Sequence, residues 1–487
     1  MMRQTGLAII LAAVAATLAP AMLPTQALAQ ARPTPPAQAP ARPPVAQART
    51  LQDALALTYS TNPALQAARA QLRATDENVP QALAGWRPQV QLSASAGYMD
   101  GTTLQRSFGR TTATNGLRGV NTETLQVQQP LYRGGQTRAG TNRAENQVMA
   151  QRASLIASEQ TAFINAVTAY VGVIQATQVL ALNTNNEQVL ARQLQATQDR
   201  FRVGEITRTD VAQAEAALAG ASATRKTAEG NLQTARATYR QVIGEDPGNL
   251  IEPQPLKLPV SALPMATSMA EHNNPNVITA LFNDAAAKDN FDLQYAKLMP
   301  TLSLQGSLSR AEDTQTANLT TKAAQILASV TMPIYQGGSE YAAIRQARQQ
   351  QEQTRKQIDD ARRTAVQQVT SSWQTYAAAR ATIDSTRQQI RSNEIALEGV
   401  QREAIVGSRT TLDVLNAEQT LLNSRVTLVQ NLASLVTASY QVASAVGRLT
   451  ARDLNLNVPL YDDTAYYKAV KNRWFGTGDY AVGQPGR

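Results

Sequence analysis

The sequence predicts a mixed α/β membrane protein in which an internally duplicated chain joins β-strands of membrane-spanning length to very long α-helices. Three observations lead to this fold class. The octet QPLYRGGQ (129–136) returns as MPIYQGGS (332–339), about ten residues of alternating hydrophobicity precede each octet, and a long stretch without proline follows each one. Alternation with period two is typical of strands, whereas long periodic stretches without helix caps are typical of coiled coils.

The first 29 residues predict a secretory signal peptide, so the protein is expected to be exported. They begin with a positive charge at Arg3, continue with an apolar stretch at 7–18, and end on an Ala-x-Ala cleavage site at Ala29. Residues 30–49 are rich in proline and predict an extended leader. No later segment is expected to have the roughly 18 apolar residues of a transmembrane helix, so strands are the expected route across a membrane.

The composition excludes several kinds of chemistry. The 487 residues include no cysteine, which rules out disulfides and cysteine-ligated metal centres, and one histidine, His272, which leaves little for acid–base catalysis. We therefore predict no enzymatic activity, no cofactor and no metal site. The net charge is +9, but the arginines are spread along the chain without a basic cluster that contains aromatic residues, so no nucleic-acid partner is predicted.

Matching segments in the two halves define the domain organisation. VGEITRTDV (203–211) corresponds to VGSRTTLDV (406–414) at the same offset of 203 residues that separates the two octets. The predicted segments are a first repeat at 50–250, a linker at 251–273, a second repeat at 274–450 and a C-terminal tail at 451–487. The interval between the two prolines that flank the strand pair is nine residues longer in the first repeat, which places a variable loop there.

Each repeat is predicted to contain one strand pair, at about 88–130 and 300–333. In the first strand apolar side chains alternate with glutamine and serine, and a similar alternation recurs in the other three strands. Polar loops at about 100–120 and 310–322 are expected to join the paired strands. Strands of this length with one apolar and one polar face are typical of outer-membrane β-barrels. On pattern alone, a hairpin packed on a soluble core fits equally well.

Each repeat is also predicted to contain a shorter helix before its strands and two long helices after them. The shorter helices open near Leu51 and near Pro275. The long helices are predicted where proline is absent, at about 132–202, 208–244, 335–404 and 411–447. In the last of these, two adjacent apolar columns recur every seven residues, which makes a stripe wide enough for more than one neighbouring helix. The columns are Val414, Leu421, Leu428 and Leu435, and Leu415, Leu422, Val429 and Val436.

The octets are predicted to form the junctions at which a strand becomes a long helix. A proline cannot donate a hydrogen bond to a strand ladder, so Pro130 and Pro333 are expected to end strand pairing. Tyr132 and Tyr335 are expected near the membrane boundary, where amphipathic rings are favoured. The glycine pairs allow backbone angles that other residues resist and should turn the chain into the helix. These glycines are Gly134, Gly135, Gly337 and Gly338.

The chain resembles the TolC family of outer-membrane efflux and secretion channel proteins over about residues 50–455. The resemblance rests on the two junction motifs, on the two VG tips that are followed by TDV and LDV, and on the order of these motifs along the chain. The resemblance implies a homotrimer in which each chain gives four strands to a twelve-stranded outer-membrane β-barrel and long helices to a periplasmic coiled-coil barrel. It implies a passive exit duct of a Gram-negative cell. The implied partners are a periplasmic adaptor protein, an inner-membrane pump of the ABC or resistance-nodulation-division type, and outer-membrane lipid.

The strand count indicates an oligomer independently of the resemblance. Four strands cannot close a barrel, and open strand edges are not tolerated in lipid. Two chains would supply eight strands and three would supply twelve, and both numbers are allowed. The number three comes from the resemblance alone.

The resemblance places a periplasmic gate at the tips between the long helices, which turn at Gly204 and Gly407. The gate and selectivity residues that it implies are Thr209, Asp210, Arg409, Asp413 and Asn416. Arg409 is expected to pair with an acid or threonine of a neighbouring tip. Ala404 stands where the family usually has a tyrosine, and Asn416 stands where a second acid is common, so fewer links and a weaker cation preference are expected. A different explanation of the two aspartates is that they cap helices.

Two functional questions stay open at the level of sequence. Drug efflux and type I protein secretion share these features, and no motif identifies the exported substrate, the pump or the adaptor. A non-pore trimeric coiled-coil protein of the cell surface or periplasm would share the long helices, but it would not need four alternating strands. The strands therefore favour the duct.

Overall fold

A computed structural model describes residues 49–316, 318–478 and 480, so the predicted signal peptide and nearly all of the leader lie outside the described residues. Among the described residues, three α-helices precede the first strand pair and two long helices follow it. The order is α1 (Leu51–Thr61), α2 (Pro63–Asp76), α3 (Asn78–Leu83), β1 (Gln89–Ser107), β2 (Arg110–Arg133), α4 (Gln136–Arg202) and α5 (Arg208–Ile243). The chain continues with α6 (Leu263–Asn273), α7 (Pro275–Ala296), β3 (Thr301–Glu312), β4 (Thr320–Thr331), α8 (Ser339–Ile405), α9 (Thr411–Ala445) and α10 (Ala465–Val470).

The four strands form one antiparallel sheet in the order β1-β2-β3-β4. The pairing register places Leu92 opposite Leu125 and Leu125 opposite Leu308, and β3 continues this match into β4. One face therefore carries the apolar columns of all four strands, and the other carries mainly glutamine, serine and threonine. The apolar face is not packed on a core, because Leu92 is 73% exposed and Val330 is 69% exposed. The hairpin on a soluble core is thus not supported.

Both connections between paired strands are shorter than predicted. The first hairpin turns at Phe108 and Gly109, whose φ angles are 47° and 77°, and pairing continues through most of the segment predicted to be a loop. Threonine is frequent there, and β-branched residues favour strands. A two-residue turn with positive φ at both positions also matches the twist of a hairpin. The second connection is 313–319, and pairing of β2 with β3 starts only at Asn121, so the first hairpin extends further as a two-stranded ribbon.

The two longest helices, α4 and α8, have 67 residues each, which corresponds to about 100 Å at 1.5 Å per residue. Helix α5 packs along α4, and α9 packs along α8. Helix α9 also contacts α4. The prediction that its wide apolar stripe serves more than one neighbour is therefore confirmed.

Two helical segments differ from the prediction. The helix expected from Leu51 is interrupted at Asn62, whose side chain accepts hydrogen bonds from the amides of Ala64 and Leu65 and starts α2 at Pro63. An asparagine cap followed by proline is a helix start signal inside the expected helix. The segment predicted to be a linker contains α6, which packs on α8. Its buried side chains are alanines, which give a weaker hydrophobic pattern than larger residues.

The largest hydrophobic cluster lies where the short helices pack on the long ones. It draws on α1, α2, α4, α5 and α9, and Leu449, Ala451 and Leu456, which follow α9, join it. Contrary to expectation, α4 contains one 18-residue window with the composition of a membrane span. Phe163, Val167 and Tyr170 of α4 are 0% exposed, so this helix serves as the central core helix of the cluster.

Candidate functional site

Two tips connect the long helices, one between α4 and α5 and one between α8 and α9. Gly204 and Gly407 both have a φ of 80°, a region in which glycine is unstrained, and they let the chain reverse direction. Leu415 of α9 packs with Leu190 of α4 and Ala221 of α5. This cluster holds the two tips at the same end of the helical part.

The first tip aspartate caps a helix. Thr207 and Asp210 form a capping box at the start of α5. The Asp210 carboxylate accepts hydrogen bonds from the Thr207 amide (3.0 Å) and hydroxyl (2.6 Å), and the Asp210 amide donates to the Thr207 hydroxyl (3.4 Å). Both hydrogen bonds from Thr207 lower the pKa of Asp210 from its ordinary value of 3.8, and the bond from the Thr207 hydroxyl has the larger effect.

The second tip aspartate repeats this arrangement at the start of α9. The Asp413 carboxylate accepts from the Thr410 amide at 3.0 Å and from its hydroxyl at 2.9 Å, and the Asp413 amide donates back at 3.2 Å. The bond from the Thr410 amide is the largest cause that lowers the pKa of Asp413. The capping explanation is confirmed for the single chain, and the gate role of the two aspartates stays a prediction.

Arg409 forms its ion pair within its own tip. Its Nε lies 2.9 Å from Oε2 of Glu403, and both side chains are about half exposed. Glu403 lies on the last turn of α8, so the pair spans the turn at Gly407. In the single chain the partner is therefore Glu403, where an acid or threonine of a neighbouring tip was expected. The spacing of six residues across a turn is not a helical spacing, so sequence reasoning missed this partner.

The remaining predicted gate residues lie on the exposed surface of the tips. Thr209 is on the first turn of α5, and Asn416 is on the second turn of α9, where its carbonyl accepts a hydrogen bond from the Thr420 hydroxyl at 2.7 Å. Ala404 is half-buried on the last turn of α8. The structure thus places all predicted gate residues at one end of the helical part, divided between two tips.

The junction glycines adopt the left-handed backbone region. Their φ angles lie between 61° and 90° at Gly134, Gly135, Gly337 and Gly338. The two junctions differ in packing. A Cβ at Gly134 would lie 2.5 Å from the Met299 Cβ and 2.7 Å from the Ala296 carbonyl oxygen, whereas a Cβ at Gly337 would meet no described atom within 4 Å. The first junction therefore requires glycine for two reasons and the second for one.

The two junction prolines act differently. Pairing between β2 and β3 continues past Pro130 to Arg133, with a register irregularity between Pro130 and Tyr132, so the prediction that Pro130 ends strand pairing is wrong. Leu131 is the extra residue without a partner in β3, and a proline is tolerated beside such a bulge because the hydrogen-bond ladder is disrupted there. Strand β4 ends at Thr331, two residues before Pro333.

Asp76, at the end of α2, is a buried acid that no sequence motif marks. It is 1% exposed, and neither carboxylate oxygen accepts a hydrogen bond from a described residue. Burial raises the pKa of Asp76 from 3.8 to about 7, Arg152 opposes this shift, and Asp463 adds to it. The Nε atom of Arg152 lies 3.6 Å from Oδ2 of Asp463. Across the described ranges no group of three or more acidic or histidine side chains is placed to hold a metal ion.

Comparison with protein families matches the description "Outer membrane efflux protein" over residues 54–245 and 266–448, which is more than half of the chain. The chain belongs to the outer membrane efflux protein family. This efflux protein is 38% identical over 434 residues to the outer membrane efflux protein BepC of Brucella suis biovar 1 (strain 1330), which covers 88% of this chain and 92% of BepC. It is 28% identical over 433 residues to the outer membrane protein TolC of Escherichia coli (strain K12), which covers 84% of each chain.

A solved structure shows the same fold. The outer membrane protein VceC from Vibrio cholerae superimposes with a TM-score of 0.70 at 21% identity, over 82% of this chain and 96% of VceC. The efflux protein therefore has a TolC-like fold, mostly helical with one sheet. These comparisons confirm the predicted family and the predicted outer-membrane location. They also confirm an exit duct for efflux or type I secretion.

Proposed function

We propose that three copies of this efflux protein assemble into a passive duct, in which their sheets close a twelve-stranded barrel in the outer membrane and their long helices continue it as a periplasmic tunnel. A periplasmic adaptor joins the tunnel to an inner-membrane pump, which supplies the energy. The duct itself carries out no catalytic step. The family membership supports the proposed adaptor and pump, and the geometry of the sheet supports the proposed barrel.

The observation that carries this proposal is the pair of open strand edges. Within the described chain, β1 and β4 lie at the edges of the sheet and each pairs with one strand. In lipid, unpaired N–H and C=O groups are costly, so such a sheet must close with copies of itself. Because the four strands alternate in direction, β4 of one copy and β1 of the next run in opposite directions. Copies can therefore continue the antiparallel order without a break.

The two faces of the sheet suit the two sides of a barrel wall. Most of the exposed apolar side chains of the sheet share one face, which suits lipid, whereas the other face, which also carries Met99 and Leu327, is mainly polar and suits a water-filled lumen. The apolar set includes Val90, Leu92, Tyr98, Ile326 and Val330. At the junctions Tyr132 is 47% exposed, Ile334 is 89% exposed and Tyr335 is 75% exposed, as expected of residues at a membrane boundary.

The tips form the periplasmic mouth in this proposal. Three copies bring three of each tip residue towards one axis, where carboxylates focus a negative field that attracts cations. Links between neighbouring tips can use the Arg409 N–H groups that Glu403, which contacts Nε, does not occupy. Since Ala404 and Asn416 offer neither a phenol nor a second acid, the mouth closes with few links.

We also propose that the two repeats, at 50–250 and 274–450, arose by duplication. Four structural correspondences support this. Both junction glycine pairs have positive φ, both long helices after the junctions have 67 residues, and both tips end in a threonine–aspartate capping box. Asn62 and Asn274 also cap helices that begin with proline.

Ion conductance of the purified protein in planar lipid bilayers tests the duct. We expect long-lived channels. Val330→Asp places a charge on the apolar face and should abolish insertion, whereas Ser329→Asp on the polar face should still give channels. Folded wild-type protein that gives no channels would favour a coiled-coil spacer, and equal behaviour of the two variants would contradict the assignment of the faces.

A further inference from the structure

We infer that the C-terminal turn formed by Arg473–Gly478 with Tyr480, here named the aromatic turn, binds the headgroup region of a glycerophospholipid bilayer at the base of the sheet. This inference rests on the proposed function, because it requires the sheet to lie in a membrane. The aromatic turn belongs to the tail that lies outside the family match, which ends at residue 448.

The aromatic turn is built around one arginine side chain. The Arg473 guanidinium donates hydrogen bonds to the Phe475 carbonyl (2.7 Å) and the Gly478 carbonyl (3.1 Å), and it lies 4.2 Å from the centroid of the Tyr480 ring. Gly476 has a φ of 96°, and a Cβ there would lie 2.6 Å from Arg473 Nη2. The turn therefore has a defined shape that depends on glycine at this position.

This shape leaves two large aromatic side chains facing outwards. Trp474 is 57% exposed and Phe475 is 86% exposed, and their ring centroids are 6.4 Å apart. A tryptophan and a phenylalanine held side by side in this way form an exposed apolar patch on an otherwise hydrogen-bonded turn. Exposed apolar patches with polar surroundings are typical of surfaces that bind a partner or a membrane.

The position of the aromatic turn indicates that its ligand is the phospholipid headgroup region. Arg87 donates a hydrogen bond to the Arg473 carbonyl at 2.6 Å, and its guanidinium lies 5.1 Å from the centroid of the Trp474 ring. Arg87 stands two residues before β1, and the neighbouring Trp86 is 43% exposed. On the other side, Lys471 Nζ forms an ion pair with Oε1 of Glu145 in α4 at 2.9 Å. The turn is thus fixed at the level where the strands meet the helices.

The chemistry of this level matches a phospholipid surface. Tryptophan and other aromatic side chains are enriched at membrane–water boundaries, where their rings lie among the headgroups. The guanidinium groups of Arg87 and Arg473 lie beside the rings, and arginine suits phosphate. Val90, the first residue of the apolar face of β1, follows Arg87 by three positions, so the aromatic turn lies at the end of the sheet where the lipid-facing surface begins.

Tryptophan fluorescence in brominated lipid tests this inference. The chain has three tryptophans, Trp86, Trp373 and Trp474. The Trp86→Phe, Trp373→Phe variant keeps Trp474 alone, and the Trp86→Phe, Trp474→Phe variant keeps Trp373, which lies about 50 Å along α8 from the start of that helix. A third variant replaces all three by phenylalanine and adds Leu92→Trp on the apolar face of β1. Each is placed in vesicles of phosphatidylcholine brominated either near the headgroup or near the chain end.

We expect Trp474 to be quenched at least about twofold more by shallow than by deep bromines, Trp373 to be unquenched, and Leu92→Trp to be quenched by deep bromines. Trp474 quenched no more than Trp373, with Leu92→Trp still quenched, would overturn the inference and indicate that a neighbouring copy covers the turn. Loss of quenching at Leu92→Trp as well would overturn the membrane barrel itself.

Discussion

Single residues at the tips make defined contacts within the single chain. Asp210 and Asp413 complete capping boxes, and Arg409 pairs with Glu403. A group that caps a helix in the single chain can also face a pore, because a carboxylate has more lone pairs than the cap uses. The capping role therefore explains why these residues stand at the start of their helices, and the gate role must be tested in the assembly.

Removal of a tip cap should loosen the first turn of its helix. Thr410→Ala deletes the hydroxyl that bonds Asp413, so the amides of the first turn of α9 should exchange about fivefold faster, equivalent to about 1 kcal/mol. Amide hydrogen exchange by mass spectrometry measures this. Thr420→Ala, which deletes a hydroxyl in the same helix without a cap, is the control. Equal exchange in both variants would show that the cap does not stabilise the turn.

The Asp413 cap should also depend on pH. Because its pKa is lowered in the folded state, the cap stabilises the tip above the ordinary value of 3.8 and loses this effect as pH falls through the lowered value. Protection of the first turn of α9 should therefore be constant from pH 8 to about pH 5 and fall only in stronger acid. A loss of protection near neutral pH would contradict this assignment.

Arg409→Ser should open the resting mouth. The pair with Glu403 is exposed and screened by water, so the variant should fold and assemble normally. If Arg409 also links neighbouring tips, single-channel conductance should rise by about twofold or more when the link is lost. Arg402→Ser is the control, because Arg402 pairs with Glu398 on the same helix surface. Unchanged conductance in both variants would leave Arg409 with an intrachain role only.

Asp76→Asn should stabilise the protein at high pH. The folded-state pKa of about 7 exceeds the ordinary 3.8, so ionised Asp76 destabilises the fold fully above pH 7 and not at all below about pH 4. The asparagine should raise the free energy of unfolding by about 1–3 kcal/mol at pH 8 and change it little at pH 4. Chemical denaturation in detergent measures both. Asp384→Asn, at an exposed site, is the control; a gain that does not depend on pH would contradict the assignment.

At the scale of elements, features with a strong periodic signal could be predicted from the sequence. Apolar alternation identified all four strands and their faces, and proline-free stretches located the four long helices. The structure differs from the prediction where one local sequence signal is compatible with two different structures. Pro130 enters a bulge instead of ending a strand, Asn62 caps a new helix inside an expected one, and the turn at Phe108–Gly109 lets strands replace a loop. The hydrophobic pattern of a segment predicts that it is a strand and which residues share a face, whereas pairing with the neighbouring strands determines where the strand ends.

The two junctions should respond differently to the same substitution. Gly337→Ala forces an L-residue into positive φ and should cost about 1–2 kcal/mol. Gly134→Ala adds a clash with Met299 and Ala296 to the same strain, so it should cost about 1–3 kcal/mol more. The yield of assembled, heat-resistant protein in the membrane and its thermal midpoint measure the difference. Equal effects at both junctions would mean that packing at the first junction relaxes without cost.

At the scale of the whole molecule, the number of chains is the feature that the sequence could least determine. Open edges at β1 and β4 require copies, but the strand directions fit any closed ring. Contacts between copies leave no periodic pattern in a single chain, because they depend on barrel curvature and on both surfaces at once. The C-terminal tail was equally hard to predict, since scattered side chains make its contacts: the Tyr466 hydroxyl donates to Glu77, between α2 and α3, and the Tyr467 hydroxyl donates to Glu145 of α4.

Disulfide scanning between the two sheet edges tests the shared barrel most directly, because the native chain has no cysteine. One cysteine is placed at Ser329 of β4, and a second is moved in single steps along β1 from Gln89 to Tyr98. The pair Ser93→Cys, Thr124→Cys, which lies opposite within one chain, is the control and should give no intermolecular product. We predict cross-links at alternate β1 positions, with a covalent ladder that ends at three chains. No cross-link at any position, or a ladder that continues beyond three chains, would contradict the twelve-stranded barrel.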